Sequence, residues 1–351
     1  MKIILLGDIG FTGVLNSNPS ENKARFSEVV PILSQSDLVF ANLEVPVKIN
    51  DDKNEYKNFV HYSLPKPTEE LLKLLNIGCV SLANNHIYDC KLSGLKETIG
   101  ILDKLGILHT GAGWKKEHVE PVIIDKGGLK IGFLAYVDKS TNPKTESFPE
   151  LLINYFDVDR VISDMKMLIG KVDKIICSIH WGVDYSYYPT PEQVSISHKL
   201  IDAGVDIIMG HHPHTLQPYE IDNSGIIFYS LGGLSFGDFL RNNQMIALYR
   251  KTKNGVIANC NLTTMDLSFT ATKELIGNYV KLDTRDYAKW SAHKWKVFKR
   301  KESNPFFKWL IDFQEIVLHR TYEYFFGYYK NPIKRLFQLS NIRKIKKLFK
   351  L

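Results

Sequence analysis

Cysteine is scarce in this 351-residue chain: Cys79, Cys90, Cys177 and Cys260 are the whole complement, and no two form a Cys-x-x-Cys pair. Buried, reduced thiols are expected, and a disulfide framework is not. Long hydrophobic runs are missing too. No stretch approaches the roughly 18 uncharged apolar residues that crossing a bilayer requires. The opening Met1–Leu6 run meets Gly7-Asp8 too soon to be the apolar core of a secretion leader, so the reading is a cytoplasmic chain, with any membrane contact peripheral and on the inner face. No repeat or low-complexity tract is visible. With 44% hydrophobic and 24% charged residues, collagen-like and disordered chains are excluded and a large core is affordable.

What is present is an alternation. Short apolar runs recur at 3–6, 38–41, 79–83, 131–137, 175–179, 205–209 and 226–229. Runs of this length without a polar face suit strands covered on both sides. Between them, 91–105 ends at Gly106, and 192–203 follows Thr190-Pro191 and ends at Gly204. A Thr cap, an early Pro and a trailing Gly are helix boundaries. Strands alternating with helices predict an α/β domain with largely parallel pairing. Residues 245–275 lose the helices and read as a closing hairpin.

Charge is unevenly placed. The net charge is +7, yet residues 286–351 carry 16 Lys/Arg against 5 Asp/Glu, leaving a slightly acidic body. The expected organisation is a domain over 1–280 and a basic, aromatic-rich helical tail over 281–351. A helix starting at Asn304-Pro305 and a basic amphipathic end over 341–351, with Trp290, Trp295 and Trp309 interleaved, predict a tail that rests on an anionic membrane surface. Nucleic acid ranks below this, because the aromatics lie on broad apolar helical faces instead of singly among polar residues.

The residues that follow the strands carry the chemistry. They are Asp8; Asn42 and Glu44; Asn84, Asn85, His86 and Asp89; His180, Trp181 and Asp184; His211, His212 and His214. Carboxyl ends of strands in α/β sheets converge on a binding crevice. Carboxylates, carboxamides and imidazoles without a thiolate form a ligand set for Mn²⁺, Zn²⁺ or Fe. Two such ions sharing Glu44 would activate a hydroxide for in-line attack on a phosphate ester. His86 is the candidate acid for the leaving oxygen. Asp89 either orients His86 or caps the following helix. Asn84 could satisfy backbone groups, and His211 reads as a packed or exposed neighbour. His61, His109, His118 and His198 lack motif context.

In order, GDIGFTG at 7–13, ANLE at 41–44, SLANNHIYD at 81–89, GLKETIGILDKLGILHTGAG at 94–113, HWG at 180–182, AGVDIIMGHHPHTLQP at 203–218 and YSLGG at 229–233 resemble the CapA family. That is the capsule-synthesis or poly-γ-glutamate biosynthesis family within the calcineurin-like metallophosphatase superfamily. The resemblance implies a four-layer α/β/β/α sandwich with the basic helical extension appended. It implies one or two divalent transition-metal ions, the first held by Asp8 and His214 with Glu44 bridging, the second by Asn85, His180 and His212. His86 and Asp89 would be catalytic, and Asn42, Asn84, Trp181, Asp184 and Tyr229 would meet the substrate. The chain departs from the superfamily where Asp8 is followed by Ile9-Gly10 and where Asn42-Leu43-Glu44 replaces a Gly-Asp motif. The implied activity is phosphoester hydrolysis on a phosphorylated or polymeric intermediate of capsule, poly-γ-glutamate or exopolysaccharide synthesis. A non-catalytic accessory subunit of a membrane-associated synthesis complex, and hydrolysis of a γ-glutamyl amide, are open alternatives at this point.

Overall fold

Each central strand divides its side chains between two layers, and this division builds the molecule. In the computed structural model, which describes residues 1–57, 60–141, 148–222, 225–241, 244–246 and 250–306, Ile4 and Leu6 of strand Lys2–Gly10 pack under helices with Leu72, Leu95 and Leu102. Ile3 and Leu5 of the same strand face the other way, onto Phe133, Ile176 and Met209 of a second sheet. Strand Leu129–Val137 repeats the pattern from the far side: Phe133 and Ala135 face the first sheet, whereas Leu134 and Tyr136 meet Val161, Met165 and Leu200 of the outer helices. Alternation of period two on strands apolar on both faces thus specifies four layers, α/β/β/α.

The first sheet runs in the order Tyr279–Leu282, Asp266–Leu275, Asn254–Asn261, Lys2–Gly10, Leu38–Leu43, Ile77–Ser81, Leu108–Thr110, with Gly233–Phe236 pairing beside Lys2–Gly10. The second runs Tyr219–Asp222, Gly225–Phe228, Ile207–His211, Lys174–His180, Leu129–Val137, Val122–Lys126. Central neighbours are parallel. The expected closing hairpin is the antiparallel pair Asn254–Asn261 and Asp266–Leu275. Helix Lys91–Leu105 ends at Gly106 with φ 67°. Helix Pro191–Asp202 opens on a full capping box, in which the Thr190 hydroxyl accepts from the Gln193 N–H and the Gln193 carboxamide accepts from the Thr190 N–H. All four cysteines are free and buried.

The basic segment corrects one part of the sequence reading. Helix Tyr287–Ser303 starts on an Asp286 cap and lies against the body. The Tyr287 hydroxyl donates to the Gln217 carbonyl at 2.8 Å, and the Tyr219 N–H donates to Ser291 Oγ at 2.9 Å. Trp290 stacks on Tyr287, and Trp295 stacks on Tyr229 and Phe298. These two tryptophans are engaged in packing and are not lipid-facing aromatics. Among the side chains that the helix leaves exposed are Lys289, Lys296, Lys299 and Arg300. The tail elements read beyond residue 306, with Trp309 and 341–351, lie outside the described residues. Among the described residues no helix is long and apolar enough to cross a membrane.

Candidate metal centre

Strand Lys2–Gly10 carries Asp8 to the crevice, and glycine at position 7 lets it do so. A Cβ on Gly7 would lie 1.8 Å from the Gly232 carbonyl oxygen, so only glycine lets the 231–233 turn close on this strand. The Asp8 N–H then donates to Gly232 O at 2.9 Å. Pairing places Asn42 directly beside Asp8 and His211 beside His180. Glu44 follows one strand, Asn84, Asn85 and His86 follow another, and the 212–214 turn follows a third. His212 and His214 adopt φ of 95° and 54°. Two non-glycine residues in the left-handed region of one turn are a strained arrangement of the kind that clusters at functional sites.

The brought-together set is dense and buried. Asp8, Glu44 and His180, all with no exposed surface, each offer a ligand atom within 4.8 Å of the others. His214 Nδ1 lies 3.3 Å from Asp8 Oδ2, and its Nε2 lies 3.4 Å from Glu44 Oε1. His180 Nε2 is 3.1 Å from Asn85 Oδ1 and 3.2 Å from His212 Nδ1. His212 Nε2 in turn is 3.2 Å from a carboxylate oxygen of Asp184, which is half-exposed. Asn42 donates to Asp8 at 2.8 Å and lies 3.3 Å from His180 Nδ1. Asn84 donates to Asn42 and to the Leu43 carbonyl and accepts from the His86 N–H. These two carboxamides frame the ligand residues.

The charges answer one another. Burial pushes the Asp8 carboxyl up, but His211 and His214 beside it overcome this and hold it well below the usual carboxylate range. Burial raises the Glu44 carboxyl well above that range. Burial lowers His180 well below an ordinary imidazole and His212 to about 4. Burial also works against the His214 cation, yet Glu44 and Asp8 together lift it to about 10. Neither Glu44 carboxylate oxygen receives a hydrogen bond from the described residues, although both are buried. A buried carboxylate that accepts no hydrogen bond is costly even beside the His214 ring. A divalent cation among Asp8, Glu44 and His180 would satisfy those oxygens, and the all-N/O donor set suits Mn²⁺, Zn²⁺ or Fe²⁺. His214 holds its proton at neutral pH in the metal-free site, so its use as a ligand requires losing that proton. Metal binding near pH 7 should therefore release at least one proton, and apparent affinity should climb with pH up to about 10. Titration calorimetry in buffers of different ionisation enthalpy measures this directly; binding heats independent of the buffer would contradict it.

His86 stands at the edge of this cluster. Its Nδ1 lies 2.8 Å from Asp89 Oδ2, an oxygen that also accepts the His61 N–H at 2.7 Å. Lys57 Nζ is 2.7 Å from the other Asp89 oxygen and also donates to the Asn85 carbonyl. The helix cap falls to Cys90, with no side-chain cap bond, so Asp89 orients His86 and does not cap the helix. The dyad leaves His86 Nε2 free of a partner on Asp89, the arrangement a proton donor needs.

Two sequence-predicted site residues lie elsewhere. Trp181 and Tyr229 face the outer helices, where Trp181 packs edge-on to Phe156 and the Tyr229 hydroxyl donates to Glu220. Three residues passed over in the sequence are in or beside the site. His211 Nδ1 lies 3.2 Å from Asp8 Oδ1; its register with His180 on a parallel neighbour would have put it on the same face. Lys57 and His61 come from an irregular loop, and His61 packs edge-on against His86 at 4.6 Å. No periodic signal marks them.

The model of a family described as bacterial capsule synthesis protein PGA_cap matches residues 2–238. The chain belongs to that family. Every residue of the candidate centre from Asp8 to His214 lies inside the matched span. The PGA biosynthesis protein CapA of Bacillus subtilis is 30% identical over 287 residues, covering 78% of this chain and 73% of that protein. The capsule biosynthesis protein CapA of Bacillus anthracis is 33% identical over 223 residues, 60% of this chain and 53% of its own length. This chain thus spans about half the length of the B. anthracis relative. A 5′-nucleotidase precursor from Thermus thermophilus shares 12% identity at a TM-score of 0.41, over 86% of this chain and 58% of that one, a likeness too weak to bear on function.

Proposed function

We propose that the chain is a divalent-metal-dependent phosphoesterase that acts on a phosphorylated intermediate of capsule or poly-γ-glutamate biosynthesis. One observation carries this reading: the buried Glu44 carboxylate has no hydrogen-bond donor among the described residues and sits within metal-ligand distance of Asp8 and His180, beside the His86–Asp89 dyad. Asp8, His211 and His214 gather on one side, and Asn85, His180 and His212 on the other. A divalent ion held among them supplies a Lewis acid for the phosphoryl oxygens and makes water nucleophilic at neutral pH. The residues do the rest. Asp89 holds His86 with its proton-donating edge toward the leaving oxygen, and against the effect of burial His86 itself, with Lys57 second, keeps Asp89 ionised so that this hold persists.

A second reading has its own support. His214, as a cation, already faces both Asp8 and Glu44, so the centre is electrostatically tolerable without metal. That suits an accessory subunit of a polymer-synthesis complex. The purified chain loaded with Mn²⁺ or Zn²⁺ and assayed on a phosphomonoester and phosphodiester panel separates the two. Hydrolysis that chelation abolishes and metal restores supports the enzyme. Full metal occupancy with no turnover on any phosphate ester supports the accessory role.

A further inference from the structure

We infer that a neutral, polyhydroxylated ligand, a saccharide residue, binds in the cavity behind the metal-bearing strand. His180 and Trp181 are consecutive, so one turns toward the metal centre and the other toward the outer helices. On that outer side lies a cavity of about 360 Å³ at the carboxyl ends of strands Leu129–Val137 and Lys174–His180, between the starts of helices Val158–Lys166 and Pro191–Asp202. Two of its lining residues carry buried donors with no partner among the described residues: Trp181 Nε1, on a side chain 1% exposed, and Gln193 Nε2, on one 5% exposed. Gln193 Oε1 is already engaged by the Thr190 N–H. The amide packs on Gly182, whose missing Cβ would lie 2.9 Å from Nε2.

The lining selects the ligand by elimination. An apolar guest would leave both donors unpaired, at about 1–3 kcal/mol each in general. An anion would meet Asp138, Asp157 and Glu192, with no lysine or arginine among the described residues that line the wall. A simple cation would suit the carboxylates and leave the two N–H groups unanswered. A hydroxyl is both acceptor and donor, so adjacent hydroxyls would accept from Trp181 and Gln193 and donate to the carboxylates. Phe156, Val158 and Ile196 supply an apolar wall for the C–H face of a sugar ring. The inference concerns the reverse face of the strand and does not rest on metal catalysis.

The indole N–H is its own reporter. The chain holds five tryptophans, and the resonance missing from Trp181→Phe identifies Trp181 in an ¹⁵N-indole spectrum of the full chain. Titration with N-acetylglucosamine or glucose should shift that resonance while the other four stay fixed. Gln193→Glu keeps the capping box, since the new carboxylate still accepts from Thr190, but removes the free amide donor. It should weaken the response about tenfold, the equivalent of roughly 1.4 kcal/mol, in a chain whose cooperative melting transition shows that it remains folded. A Trp181 resonance unmoved by either sugar at saturating concentration would overturn the proposal. So would one that responds to inorganic phosphate or glutamate and not to the sugars.

Discussion

His86→Asn should retain its full metal complement and lose about 10²–10⁴-fold in turnover, the usual cost of removing a general acid. The geometry sets this expectation. His86 is held by Asp89 at 2.8 Å, and it lies outside the Asp8–Glu44–His180 set. Asparagine preserves much of the volume and can still hydrogen-bond to Asp89, so the loop carrying Lys57 and His61 should remain in place. Burial lowers the His86 imidazole below its ordinary range even though Asp89 pulls the other way. The ring in the free protein is therefore neutral at pH 7, with its proton on Nδ1 facing the Asp89 carboxylate, and it acts as an acid once an anionic substrate draws a second proton onto Nε2. Two measurements decide the matter, metal content by elemental analysis and kcat on whichever phosphate ester proves active. Wild-type turnover in the variant would remove His86 from the chemistry. Lost metal would make it a ligand instead.

The other large effect belongs to His180→Ala. This imidazole is fully buried, shares a ligand-distance set with Asp8 and Glu44, and touches Asn42, Asn85 and His212. Groups that merely orient ligands are typically worth about 10–100-fold in metal affinity. Removal of the ligand itself should exceed that and empty the centre at micromolar metal. His293→Ala, an exposed position on the outer helix, serves as the control and should leave metal content untouched. Because an alanine at 180 also leaves a cavity, His180→Asn provides a second test with a smaller packing change. If both variants kept wild-type stoichiometry, the metal centre would have to be sought among other residues.

The layers and much of the centre were legible in the residues alone. Apolar runs without a polar face, punctuated helices between them, and Asp, Glu, Asn and His at strand ends are local signals. The backbone obeys them because strand ends in parallel sheets converge. Helix 91–105 is marked at both limits by its own sequence, and Asp8, Glu44, Asn85, His180, His212 and His214 each stand shortly after an apolar run. Which face each side chain takes was another matter. Trp181 neighbours His180 in sequence, but the two point to opposite sides of one strand, so the motif containing both serves two separate places. His211 was passed over because its partner across the sheet is 31 residues away in sequence, and only register puts the two on one face. Lys57 and His61 belong to a loop whose path is decided by Asp89, not by any periodicity of its own. Trp290 and Trp295 have the composition of a membrane-facing helix. Tyr187 and Tyr229 on the body take them into packing, with Tyr287 and Phe298 stacked beside them on the same helix. Composition and spacing specify elements and their ends; which surface an amphipathic helix covers is decided by the partner that buries it, and that partner exists only once the sheets have closed.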